Sequence, residues 1–174
     1  MTVWPSPLVD QLRSAVCGDP IWDDLLSHLG GPEPLSLGVH VAILVEPYLQ
    51  LILDGHKTVE SRFARRECPP YRGVTKDDVI LLKRSGGPIV GVCQVADVWF
   101  HQRDERAWQP IRDEFAIALC ALSPTFWEER ADTSFATLMR LIHVRGFTPG
   151  IGFAKRDRRG WVILQRAGGH VKNG

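Results

Sequence analysis

Hydrophobic positions follow two different rhythms along the chain. In residues 1–38 they recur at helical spacing. Leu8, Val9, Leu12 and Val16 follow Ser6-Pro7, and Ile21, Trp22, Leu25, Leu26 and Leu29 follow Asp19-Pro20. Each dipeptide places an N-cap residue before a proline at the first helical position, where its missing N–H costs nothing. Gly30-Gly31-Pro32 stops the second helix. From His40 onward the apolar runs are short and β-prone, at residues 40–45, 58–63, 79–83, 89–99, 137–144 and 161–164. Helical patterns interrupt them. A short helix runs from Glu46-Pro47 to Gly55, and a helical block covers 108–122, with a further short helix to residue 130 after Ser123-Pro124.

Strands without regular βα alternation argue against a doubly wound sheet. They predict an α+β domain around a small mixed or closed sheet. The expected organisation is a helical N-terminal extension at 1–38, packed on the main domain as a cover, the main domain at 39–166, and a flexible tail at 167–174.

Composition narrows the function classes. The chain has 174 residues, with 21 Lys and Arg against 20 Asp and Glu. Any nucleic-acid argument must therefore rest on where charges fall rather than on net charge. Cys17, Cys68, Cys93 and Cys120 form no C-x-x-C pair and have no close histidine partner, so neither a zinc site nor another metal centre is expected. No disulfide framework, secretory start or long apolar run is present in the sequence. The expectation is a soluble cytoplasmic protein with no membrane partner and no cofactor.

The candidate chemistry lies in Gly55-His56-Lys57-Thr58-Val59-Glu60-Ser61-Arg62. Gly55 permits a left-handed turn out of the helix. In the strand that follows, Thr58, Glu60 and Arg62 share one face and Val59 and Ser61 the other, with Lys57 at the turn. Such a row can hold a phosphate or a base edge, or supply an acid and a base. The plain alternative is an Arg–Glu pair on a solvated face, worth about 0.2–1 kcal/mol.

Further basic residues crowd the expected loops. These are Arg65, Arg66 and Arg72 after the motif, Lys83 and Arg84 at a strand end, and Lys155, Arg156, Arg158 and Arg159 before the last strand. If they converge, they form a phosphate-binding cleft; singly, each is a solvated loop charge. The acids Asp104, Glu105, Asp113, Glu114, Glu128 and Glu129 fall in the helical block instead. Tyr71, and less strongly Phe63 and Trp99, are candidate stacking platforms, with core packing as the commoner role of such rings. His101 and His143 are candidate general bases.

The pattern G-x-K-T-x-E-x-R, after a short helix and at the start of a strand, resembles the signature of the ASCH family. Residues 40–44, 48–53, 78–83, 87–95 and 156–164 are similar in order to that family's other elements. The resemblance covers residues 40–164 and implies a PUA-like β-barrel with a cleft suited to RNA or a nucleobase-like ligand. It also implies a choice of activities, since family members include RNA-binding modules, ribonucleases and a branch hydrolysing N4-acylated cytidine. That branch works with a Lys, a Thr and a Glu. Lys57 matches the lysine, but Glu60 stands at the threonine's position, and Gln94 replaces the glutamate on the central strand. Binding is thus the first expectation, through Lys57, Thr58, Glu60, Arg62, Arg65, Arg66, Tyr71, Lys83, Arg84, Gln94, Arg156 and Arg158. A metal-independent ribonuclease or nucleoside amide hydrolase using Lys57 and Glu60 is the alternative, and a protein-interaction domain the third.

Overall fold

The computed structural model describes residues 6–27, 37–154 and 158–166. Two N-terminal helices, α1 (Ser6–Val16) and α2 (Pro20–Ser27), precede β1 (Val39–Leu44), α3 (Tyr48–Leu53), β2 (Val59–Ala64), β3 (Val79–Arg84) and β4 (Ile89–Gln102). Next come α4 (Gln109–Phe115), α5 (Pro124–Glu128), β5 (Phe135–Ile151) and β6 (Trp161–Gln165). The expected tail at 167–174, most of the linker after α2, and Lys155 and Arg156 lie outside the described residues.

The six strands form one mixed sheet in the order β2-β5-β4-β3-β1-β6, with β1 and β3 parallel and the other pairs antiparallel. Its topology is α+β, and the strands curl into a half-barrel. Register shifts between Ile89 and Gly91, Val92 and Gln94, and Val95 and Asp97 let β4 bend against β5. The fifth strand is longer than its apolar run, continuing through Arg145, Gly146 and Pro149. Pairing with β4, together with Ile151 and Phe147 packed into the cluster beneath α1, holds that arm in place.

Hydrophobic burial occurs in three places. The concave side of the sheet encloses Ala42, Leu44, Ile80, Leu82, Cys93, Val95, Met139 and Trp161, closed by Leu49 and Ile52 of α3. On the opposite face of β1 and β3, Val39, Val41, Val79 and Leu81 pack against Leu8, Val9, Leu12 and Val16 of α1 and Trp22 and Leu26 of α2. Fully burying each such side chain contributes about 1.5–3 kcal/mol. Asp19 caps α2 by accepting the N–H groups of Ile21 and Trp22, and the Trp22 indole donates to the His143 carbonyl at 3.0 Å. The third cluster joins Val59 and Leu138 to the helical insert through Trp108, Ile111, Phe115, Leu119, Phe126 and Trp127. That insert is less helical than its pattern suggests, because turns replace helix after Phe115. No helix among the described residues is long and apolar enough to cross a membrane.

Candidate functional site

Alternation along β2 decides what the motif presents. Val59 and Phe63 turn to the helical insert, while Glu60 turns to the concave side of the sheet. Gly55, at φ +77°, makes the turn from α3. The N–H groups of His56 and Lys57 then close on the Leu51 carbonyl, which fixes the approach to the strand.

Lys57 and Glu60 are buried, at 3% and 6% exposure. Lys57 Nζ lies 3.1 Å from Glu60 Oε2 and also donates to the Val59 carbonyl. Arg62 Nε stands 3.0 Å from Glu60 Oε1, close in distance but off the hydrogen-bond direction. Burial opposes ionisation of Glu60. The charges of Lys57 and Arg62, with hydrogen bonds from Lys57 and the Ser61 N–H, outweigh it and hold the carboxyl below its ordinary range. The same burial, with the charge of Glu60, pushes the Cys93 thiol up, so Cys93 is an inert neighbour.

Arg62 also has a structural task. Its two Nη atoms donate to the Gly160 carbonyl at 3.0 Å and the Ile43 carbonyl at 3.1 Å. Arg62 thereby ties one edge strand, β2, to β1 and to the approach of β6 at the other edge. A side chain, not a backbone ladder, bridges the open seam of the half-barrel. Of its five N–H groups, the one on Nε is buried against Glu60 and two on the Nη atoms are taken by carbonyls, so one on each Nη remains for a ligand.

A cavity of about 420 Å³ opens on this seam. Lys57, Glu60, Ser61 and Arg62 form one wall, and Ile43, Val45 and Tyr48 another. The helical insert closes it with Phe126, Glu129, Arg130 and Thr133. Arg130 lies over the Phe126 ring at 3.7 Å and donates to the Phe126 carbonyl at 2.6 Å. The Thr133 hydroxyl donates to the Arg130 carbonyl at 2.7 Å and accepts from the Trp108 indole at 3.1 Å. Among the described residues, the lining cations are Lys57, Arg62 and Arg130.

The structure thus gathers Lys57, Glu60 and Arg62 but disperses most of the other expected residues. Thr58 is exposed and lines no described cavity, its backbone being held by the Ala118 carbonyl. Arg65 is exposed and paired with Asp132, and Arg66 is exposed. Lys83 turns its ammonium into the adjacent turn, onto the carbonyls of Gly87 (2.6 Å) and Arg84 (3.2 Å). Arg84 pairs with Glu46, and Arg72 packs on Tyr71. Arg158 is exposed, and Arg156 is outside the described residues.

Gln94 donates to the Asp77 carbonyl at 3.2 Å and lines neither described cavity. Its neighbour Cys93 is the β4 residue that senses Glu60. The expected convergence of basic loops does not occur among the described residues: local acids and carbonyls take up Arg65, Lys83 and Arg84, and Arg72 packs on Tyr71. His101 and His143 do not line the cavity either. Trp99 packs on Phe115 at 5.0 Å, beneath Arg140.

Sequence reasoning missed Tyr48, Arg130 and Thr133. The only local signal was their position on helix or loop segments flanking the motif's strands, and nothing in spacing shows that the insert folds back over β2. Among the described residues, no three His, Cys, Asp or Glu side chains gather as a metal site.

Comparisons with known proteins agree with this frame. The comparison with curated proteins returns no match. The solved structure of ASCH from Zymomonas mobilis aligns at a TM-score of 0.51 with 18% identity, covering 65% of this chain and 73% of that one. A serine-to-alanine mutant of the same bacterial protein aligns at 0.55 with 16% identity, over 73% and 88%. At such identities the likeness concerns the fold. The ASCH domain family model matches residues 43–133, just over half of the chain and a span that includes every motif residue from Lys57 to Arg62. The chain belongs to the ASCH domain family.

Proposed function

We propose that this protein binds single-stranded RNA, or a nucleotide of it, in the seam cavity. The ASCH family is associated with RNA binding. The observation that carries the reading is the unsatisfied hydrogen-bonding capacity of an ionic trio, buried Lys57 and Glu60 with half-buried Arg62, facing that cavity. Lys57 has three N–H donors, of which two reach Glu60 and Val59. The Glu60 carboxylate keeps lone pairs for the N–H edge of a base, and Arg62 keeps two N–H groups for phosphate. Tyr48, Phe126 and Phe63 add apolar walls against which a planar group can rest.

Glu60 is better suited to accepting hydrogen bonds than to moving protons. Held ionised, it is no acid near neutrality, and its lowered pKa makes it a weak base. One observation favours turnover as a second reading: the hydroxyls of Tyr48 and Thr133 share the cavity with Lys57. Thr133, however, is already bonded on both its donor and acceptor sides.

The test is the affinity of a labelled single-stranded RNA across a salt series, with the products run on a gel. Lys57→Met should lower affinity at least tenfold, since hydrogen bonds to charged groups are worth about 1.5–3 kcal/mol. One or two phosphates in the cavity give a log–log salt slope of about −0.7 to −1.4. Cleavage that stops in Glu60→Gln while binding persists would replace the binding reading with a hydrolase. No affinity for RNA or nucleotides at low salt would leave the protein-interaction reading.

A further inference from the structure

Arg62 and Phe63 belong to a second cavity as well as the first. This one measures about 190 Å³ and lies on the β6 side of the arginine bridge. Its walls differ in kind. Phe63, Tyr71, Phe135 and Trp161 contribute four aromatic rings, and Arg62 is the sole charged group among its described lining residues. Tyr71 and Phe135 stand edge to face at 5.0 Å, and the Arg62 guanidinium lies 5.5 Å from the Trp161 ring. Exposed Cys68, in the loop after β2, marks the opening.

A volume of 190 Å³ is below the ~300–1,000 Å³ typical of sites for whole small ligands. The cavity therefore suits part of a ligand whose remainder lies elsewhere. The part it fits is flat, uncharged and content with aromatic neighbours. Immediately across the shared wall is a polar cavity already suited to a nucleotide, and on the wall itself is a guanidinium with two unused N–H groups.

We infer that the second cavity is a base slot. It takes an unpaired nucleobase of an RNA strand whose neighbouring nucleotide occupies the seam cavity, with the linking phosphodiester passing over Arg62. This inference rests on the nucleotide reading of the first cavity. The protein then reads two successive nucleotides, one by hydrogen bonds to Lys57 and Glu60 and one by stacking. Tyr71 serves the slot as part of its wall.

The test compares the affinities of AMP, ApA and UpU for the full chain by calorimetry. In the wild type, a dinucleotide should bind at least tenfold more tightly than AMP. Cys68→Trp fills the slot from its exposed rim without entering the core. It should lower dinucleotide affinity about 5- to 150-fold, the worth of one stacked base, and leave AMP binding within twofold. Cys68→Ser should behave as wild type.

A second readout needs no variant: a dinucleotide, but not AMP, should slow alkylation of Cys68 by iodoacetamide, followed by peptide mass spectrometry. Equal affinity for AMP and dinucleotides, unprotected Cys68, or a Cys68→Trp protein with undiminished dinucleotide binding overturns the slot and leaves the first cavity's role standing. If neither AMP nor any dinucleotide binds the wild type, both readings fall.

Discussion

Two buried polar groupings stand within this small barrel, and they are built for opposite ends. One is His40, Asp78 and Trp161, at the β1–β3 side. Asp78 accepts from the Gly38 N–H (2.6 Å), the Thr75 N–H (2.7 Å), the Thr75 hydroxyl (3.1 Å) and His40 Nε2 (3.0 Å), while Trp161 Nε1 donates to His40 Nδ1 at 3.3 Å. The carboxylate has four acceptor sites and four donors, and both histidine nitrogens have partners. The second grouping is Lys57, Glu60 and Arg62, two cations about one carboxylate, with Lys57 and Glu60 nearly as buried, donors and lone pairs left over and a cavity beside it. Burial and charge are common to both. Residual hydrogen-bonding capacity distinguishes a candidate site from a structural bolt.

Asp78 holds more of the fold together than any member of the trio. Asp78→Ala would orphan several buried donors, each costing about 1–3 kcal/mol. Urea unfolding should register a loss of about 3 kcal/mol or more. Any RNA affinity of the protein that stays folded should be within twofold of wild type. An affinity loss of tenfold would move His40 and Asp78 into the site beside Trp161, whose ring already lines the proposed slot.

Lys57→Met is the mirror experiment. It should cost RNA affinity at least tenfold, yet destabilise by no more than about 2 kcal/mol, because Arg62 still neutralises Glu60 and methionine fills the space. A stability loss as large as that of Asp78→Ala, with affinity unchanged, would make the trio another bolt.

Acid titration sharpens the pair. Glu60 and Asp78 both have lowered pKa values. In Asp78, burial raises the pKa, but the hydrogen bonds from His40, Thr75 and Gly38 overcome it. A carboxyl that is more acidic in the folded than the unfolded chain contributes stability that is complete above its unfolded pKa. That contribution is lost as pH falls through the folded value. Unfolding free energy should therefore hold steady from neutrality to about pH 5 and fall below about pH 4. Glu60→Gln should flatten part of that fall. An unchanged slope would mean Glu60 is not held ionised by its neighbours.

The smallest effects belong to the dispersed basic residues. Arg65→Ala and Arg84→Ala remove exposed ion pairs with Asp132 and Glu46. Each should change stability by less than about 1 kcal/mol and RNA affinity by less than twofold, measured by the same unfolding and binding assays. Arg130→Ala should cost more affinity than either, because Arg130 lines the seam cavity.

Local pattern determined much of this protein. Proline after a capping residue marked α1 and α2, and Gly55 marked the turn into β2. Period-two alternation put Glu60 and Arg62 on one face, and the order of elements around Lys57 and Glu60 pointed to the ASCH family. These follow from interactions between residues close in sequence, whose geometry spacing alone dictates. Spacing did not disclose that Arg62 would bridge the two open edges of the sheet, or that Arg130 and Thr133 would arrive from about 70 residues further along the chain. Nor did it reveal that Lys83, Arg84 and Arg65 would be taken up by nearby carbonyls and carboxylates. A cation's partners are set by what the fold carries within a few ångströms of it, and only the curl of the sheet and the return of the helical insert decide that.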